Sequence, residues 1–162
     1  MGNRLAVRIG DTALKNPVIA APGEHLIPDS GLRAAIAAGA GAVVMKSTND
    51  SAAAKRQLLQ AEYAALGPEW QRLPWGEETP ASATVLTRSG LHPLAFEAWL
   101  DQGLRLLPEA RAAECLLVPS LILSGLPQAV EQARAVAEAG FPVLELNIGT
   151  PYAPLAQKGA VS

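Results

Sequence analysis

Four short runs of mostly apolar residues recur along this chain, and each stops on small, polar or turn-forming residues. Residues 17–21 stop at Pro22-Gly23, residues 42–45 at Lys46-Ser47-Thr48, residues 115–118 at Pro119-Ser120, and residues 143–146 at Asn147-Ile148-Gly149-Thr150-Pro151. A strand that is apolar at successive positions must be covered on both faces, which is how parallel strands are read. Between these runs lie stretches with helical spacing: Leu32, Ala35, Ile36 and Ala38; then Leu94, Phe96, Trp99, Leu100, Leu104 and Leu107; then Ala129, Val130, Ala133, Val136 and Ala137. Asp29 or Ser30 is placed to cap the first helix, Pro93 opens the second with Pro108 near its end, and Gly39 and Gly140 close the first and third. Buried strand, loop and amphipathic helix in alternation predict an α/β parallel architecture.

The remaining segments are less regular. Residues 5–9 alternate apolar and polar, and Gly10-Asp11 turns them into Thr12-Ala13-Leu14, so residues 1–16 read as an N-terminal β-hairpin plugging the bottom of a larger structure. Residues 48–93 form a long interruption of the kind that usually serves as a lid or binding loop. Within it, residues 51–66 have helical spacing (Leu58, Leu59, Ala61, Tyr63, Leu66), stopped by Gly67-Pro68. Residues 74–80 read as loop with Trp70 and Trp75 as packing anchors, and residues 83–87 as a strand feeding Arg88-Ser89-Gly90.

Composition narrows the function. With 162 residues the chain can bury a real core, but an eight-stranded barrel usually needs about 250. A net charge of −2 supplies no basic footprint for nucleic acid or an anionic membrane, and no apolar run is long enough to span a bilayer. The lone Cys115 can form neither an internal disulfide nor a metal cluster, which fits a reducing cytosol, and it reads as core. No metal site is expected, since His25 and His92 stand isolated in loops. Nicotinamide, P-loop and hydrolase motifs are all missing.

The chemistry-bearing residues cluster where the apolar runs end, and strands that deliver polar groups from one rim are how a (βα) barrel builds an active site. Lys46 follows four apolar residues; spacing alone favours a surface lysine, the other reading being an ammonium that holds an anionic ring or phosphate. Asn147 offers donors and acceptors to a planar ligand, or caps a loop. Thr150 sits in a constrained turn where a hydroxyl is a poor base unless activated. Glu145 shares a strand face with Asn147 and needs a partner there, because an unpaired buried acid is costly.

Taken together, Leu14-Lys15-Asn16-Pro17, Ala21-Pro22-Gly23, Gly41-Ala42-Val43-Val44-Met45-Lys46-Ser47, Ser89-Gly90-Leu91 and Glu145-Leu146-Asn147-Ile148-Gly149-Thr150-Pro151 resemble, in order, landmarks of the dihydroorotate dehydrogenase family, including the flavin half of dihydropyrimidine dehydrogenases. The resemblance covers nearly the whole chain but only the N-terminal half of a family member. It implies a (βα)8 TIM-barrel type of fold, here its first four βα units after the hairpin, with residues 17–162 as half of one FMN-barrel domain. It also implies FMN as cofactor and a cytoplasmic oxidoreductase of pyrimidine metabolism that acts on a dihydropyrimidine or similar ring. By position, Ala21, Pro22, Gly23, Lys46, Ser47, Ser120 and Asn147 would bind the flavin. Lys46, Thr87, Arg88, Ser89, Gly90, Leu91 and Asn147 would bind substrate, and Thr150 would be the catalytic base.

Three positions depart from that pattern. Thr150 stands where the family has Cys or Ser, and Thr87 and Tyr152 replace asparagines, which predicts weaker selection for a pyrimidine. Four bare parallel strands would expose two edges, so the sequence predicts either a fragment inactive alone, or pairing as a homo-oligomer or with a complementary half-barrel. The alternative is a non-catalytic half-barrel scaffold derived from the same family.

Overall fold

The computed structural model describes residues 4–58, 62–88, 90–123 and 125–148. In chain order the elements begin with β1 (Val7–Ile9), β2 (Thr12–Leu14), β3 (Ile19–Ala20), a 3-10 turn over Glu24–Leu26, α1 (Asp29–Ala37) and β4 (Ala42–Val44). They continue with α2 (Ala52–Leu58), β5 (Glu62–Leu66), β6 (Arg72–Leu73), β7 (Thr84–Arg88) and α3 (Phe96–Ala112). The last are β8 (Leu116–Val118), β9 (Ser120–Ile122), α4 (Leu126–Glu138) and β10 (Glu145–Asn147).

Parallel pairing joins the apolar runs, as their composition predicts. β3 pairs with β4 and β4 with β8, Val43 lying opposite Leu117, while β9 pairs with β10, Ser120 lying opposite Glu145. The runs have no alternation because both faces are covered. Val43, Met45, Leu117 and Leu121 enter one core with Leu32 and Ile36 of α1, Trp99 and Leu106 of α3, and Val136 of α4. On the other face Ala42, Val44 and Val118 meet Leu14 of the antiparallel β1–β2 hairpin, where Gly10 takes φ 56 to make the turn.

The expected half of a (βα)8 TIM-type barrel is not what forms. The described strands stand in four small sheets of two or three, two of them antiparallel, with no closed or curled sheet. Two local features break the parallel ladder. Pro119 has no N–H to donate, and it separates β8 from β9. The register also slips, because Val44 lies opposite Val118 whereas Thr48 bridges Leu121, four steps on one side against three on the other. One extra residue is a bulge, which bends and twists the strand. Backbone bonds from Thr48 N to Ser120 O (3.1 Å) and from Ile122 N to Thr48 O (3.0 Å) still hold the two ends side by side.

Residues 51–66 also differ from the helix their spacing predicts. Residues 52–58 are helical as α2, residues 59–61 lie outside the described residues, and β5 pairs over five positions with β7, from Glu62 opposite Arg88 to Leu66 opposite Thr84. A full partner strand outweighs a weak local preference. Trp70 and Trp75 are not anchors: they are 73% and 62% exposed, and Trp75 meets Tyr63 at a ring separation of 6.4 Å.

The helices otherwise follow expectation. Gly39 and Gly140 end α1 and α4 with φ of 90° and 84°. Asp29, expected as a possible cap, is instead the first residue of α1, where its carboxylate accepts a 2.7 Å bond from Gln102 Nε2 of α3. α3 runs past Pro108 to Ala112. The carbonyl that Pro108 leaves without a donor belongs to Leu104, on a side of the helix open to water.

Candidate functional site

Beyond the last residue of β4 the chain stays buried while turning polar: Lys46, Ser47, Thr48 and Asn49 are all covered. Each needs an internal partner, since burying a polar group without one is costly. Lys46 Nζ lies 3.3 Å from Glu24 Oε1, a carboxylate supplied by the short turn after β3. Its backbone carbonyl accepts a 3.0 Å bond from the indole Nε1 of Trp99, a fully buried residue of α3. Lys46 is therefore no surface lysine: its stem is enclosed and its ammonium is ion-paired.

Ser47 connects this segment to the neighbouring strands. Its Oγ lies 2.8 Å from Ser120 Oγ on β9, and Ser120 Oγ donates to Glu145 Oε1 on β10 at 2.6 Å. The carboxylate that the sequence left in need of a partner finds one in Ser120. Asn147 lies two residues beyond Glu145 in β10, half-buried, opposite Ile122 of β9. Ala21, Pro22 and Gly23 occupy the corresponding end of β3, in a tight turn closed by Gly23 N bonding Ala21 O at 2.8 Å. The structure thus joins Ser47, Ser120 and Glu145 in one hydrogen-bonded run; Lys46 precedes Ser47 in the chain and pairs separately with Glu24, and Asn147 and residues 21–23 stand at the C-terminal ends of β10 and β3.

The expected substrate-covering segment is placed differently. Thr87 is exposed on β7 opposite Tyr63, in the antiparallel sheet. Arg88 ends β7 opposite Glu62, and Gly90 is half-buried. Leu91 is a core residue, 4% exposed and packed with Ala54 and Ile122. Ser89, Thr150 and Tyr152 lie outside the described residues.

Several polar residues of this region carried no signal in the sequence. His92 is a loop residue, as expected, but a buried one; its backbone N–H bonds Ser47 O at 2.8 Å, and its Nδ1 accepts from Leu94 N at 3.2 Å. Burial depresses its pKa, against the bond its ring makes with the carbonyl of Ile27. Among the described residues, Asn49 Nδ2 and Gln102 Oε1 are buried without a hydrogen-bond partner. Asp50 accepts a 2.7 Å bond from Gln132 Nε2; partial burial raises its pKa, Lys55 opposes that rise and Glu97 adds to it. Cys115 is core, as expected, and burial pushes its thiol up. Local sequence cannot show partners such as Ile27 for His92 or Gln132 for Asp50, which lie 65 and 82 positions away.

Below the cluster, a cavity of about 240 Å³ is enclosed by Ile9, Thr12, Leu14, Ile19, Ala42, Val44, Leu116, Val118, Val143 and Glu145. Among the described residues Glu145 is its one ionisable lining residue. Among the described residues no helix is long and apolar enough to cross a membrane. No family model and no curated protein matches this chain.

Proposed function

We propose that the strand-end cluster is the ring-binding rim of an FMN-dependent oxidoreductase of the dihydroorotate dehydrogenase type, acting on a dihydropyrimidine or a similar ring. The observation that carries the reading is the 2.8 Å contact of Ser47, which follows Lys46 beyond β4, with Ser120 at the start of β9, while Asn147 ends the neighbouring β10. Their chemistry suits a flat ring with polar edges. An ammonium faces electron-rich ring atoms, hydroxyls and an amide serve donor and acceptor edges, and Asn49 holds an unused buried donor nearby in sequence. When bound, FMN supplies the hydride acceptor.

The chain's own groups bind and orient. Lys46 holds negative charge at the rim, and Glu24 fixes where its ammonium stands. Trp99 pins the Lys46 backbone, so the lysine is delivered by a rigid support. Asn147 presents a planar amide to a planar partner. A cytoplasmic location belongs to the same reading and rests on the unpaired Cys115.

Titration of the protein into FMN, followed by quenching of flavin fluorescence, tests the proposal. Binding is expected, and Lys46→Ala should weaken it about 10- to 100-fold, the worth of one charge-assisted hydrogen bond. Absence of binding, or equal binding by Lys46→Ala, would refute it.

A further inference from the structure

Hydrogen-bond chemistry fixes the direction of the Ser47–Ser120–Glu145 chain. An ionised carboxylate only accepts, so Ser120 must donate its single hydroxyl hydrogen to Glu145 Oε1 across 2.6 Å. With that hydrogen committed, the 2.8 Å contact between the hydroxyls can be made only by Ser47 donating to Ser120. Ser47 Oγ is left with lone pairs and no hydrogen. Whatever meets it from the rim must therefore be a donor.

Protonation of Glu145 reverses all of this. A neutral Glu145 can donate to Ser120, Ser120 to Ser47, and Ser47 outward. The two arrangements differ by one proton, and short bonds connect them. Both serines are buried, Ser120 completely and Ser47 to 5% exposure, so water does not compete for the hydroxyls.

We propose that Ser47, Ser120 and Glu145 form a proton wire whose terminal base is Glu145. An acidic X–H bond of the rim ligand breaks, with its electron pair remaining on X. The proton binds Ser47 Oγ, the Ser47 hydrogen moves to Ser120, and the Ser120 hydrogen moves to Glu145, which becomes neutral. One proton leaves the ligand and one reaches the carboxylate. This assigns the base role to a residue that activates a hydroxyl through hydrogen bonds, which an isolated hydroxyl cannot do for itself. Lys46, next to Ser47 in the chain, pairs with Glu24, and among the described residues the cavity next to Glu145 has no other ionisable side chain in its lining.

The wire itself does not depend on the flavin reading; only the identity of its proton donor rests on that reading. Two measurements keep them apart. The first follows the side-chain carboxyl carbon of Glu145 by NMR, assigned with Glu145→Gln. Losing the Ser120 donor in Ser120→Ala should shift that resonance, because the bond it receives is gone. Ser47→Ala, which keeps Ser120, should shift it by less. A resonance unmoved in Ser120→Ala overturns the wire.

The second measurement is single-turnover reduction of bound FMN by dihydrouracil. Wild type should slow in acid, where a protonated carboxyl can take up no further proton. Glu145→Gln, which can still accept from Ser120 but holds no proton, should lose that limb and at least 100-fold in rate. Wild-type rates at every pH in Glu145→Gln and Ser120→Ala overturn the proton transfer while leaving the flavin reading intact. Failure of wild type to bind FMN sinks the flavin reading, and the carboxyl resonance then decides the wire alone.

Discussion

Trp99 links the core of this protein to its polar strand ends, and replacing it with phenylalanine should damage both. The indole is fully buried against Phe96, at a ring separation of 5.8 Å, and donates to the Lys46 carbonyl at 3.0 Å. Trp99→Phe removes roughly 50 Å² of buried apolar surface, about 1.2 kcal/mol at 25 cal/mol per Å². The void left by the missing ring adds about 1 kcal/mol where neighbours relax only in part. Losing the hydrogen bond contributes about 0.5–1.5 kcal/mol more. A destabilisation of about 3 kcal/mol follows.

Urea unfolding monitored by far-ultraviolet circular dichroism measures this without relying on the lost fluorophore. A midpoint shift with an unchanged slope would locate the effect in the folded state. Benzothienylalanine at position 99 keeps the bicycle and lacks the N–H, so it should cost about 1 kcal/mol. A loss below 1 kcal/mol in Trp99→Phe would show that the indole does not anchor the Lys46 backbone. So would a benzothienyl variant as stable as wild type.

Two further outcomes follow from the same geometry. Gly41→Ala should destabilise by about 2–4 kcal/mol in the same assay, because the new methyl would stand 2.1 Å from the Asn16 carbonyl oxygen. Relief means moving backbone that also carries the 2.9 Å bond from Gly41 N to Val18 O, and a change under 1 kcal/mol would contradict the contact. His92 should make stability pH-dependent. Its pKa is depressed in the folded protein by burial, so the unfolded chain binds more protons in the window below its ordinary value of 6.5. The stability it contributes is complete above that pH and is lost as pH falls toward the depressed folded value. His92→Gln should flatten that segment of the profile, and an unchanged slope would show that the ring is not shielded.

What could be read from the residues was the part of the fold whose cause is local. The apolar runs of residues 42–45 and 115–118 are strands covered on both faces because no polar residue interrupts them, whatever their neighbours are. The ends of α1 and α4 were legible for the same reason: Gly39 and Gly140 adopt φ values that favour glycine. So was the hairpin turn at Gly10-Asp11.

Everything that depends on a distant partner was settled by tertiary structure. Of the helical spacing over residues 51–66, α2 keeps residues 52–58 while residues 62–66 pair as a strand with β7, about twenty residues away. The barrel expected from strand count and order is not formed by the described strands, which stand in four small sheets, because sequence rhythm says nothing of register. At the candidate site, the residue types of Lys46, Ser47, Ser120 and Glu145 were plain in the sequence. Their partners were not: the ion pair with Glu24, the indole on the Lys46 carbonyl and the ordered run of hydroxyls to a carboxylate arise where the ends of neighbouring strands come to lie side by side. Spacing along a chain encodes which face a side chain takes; which atom it meets is decided by how the elements dock.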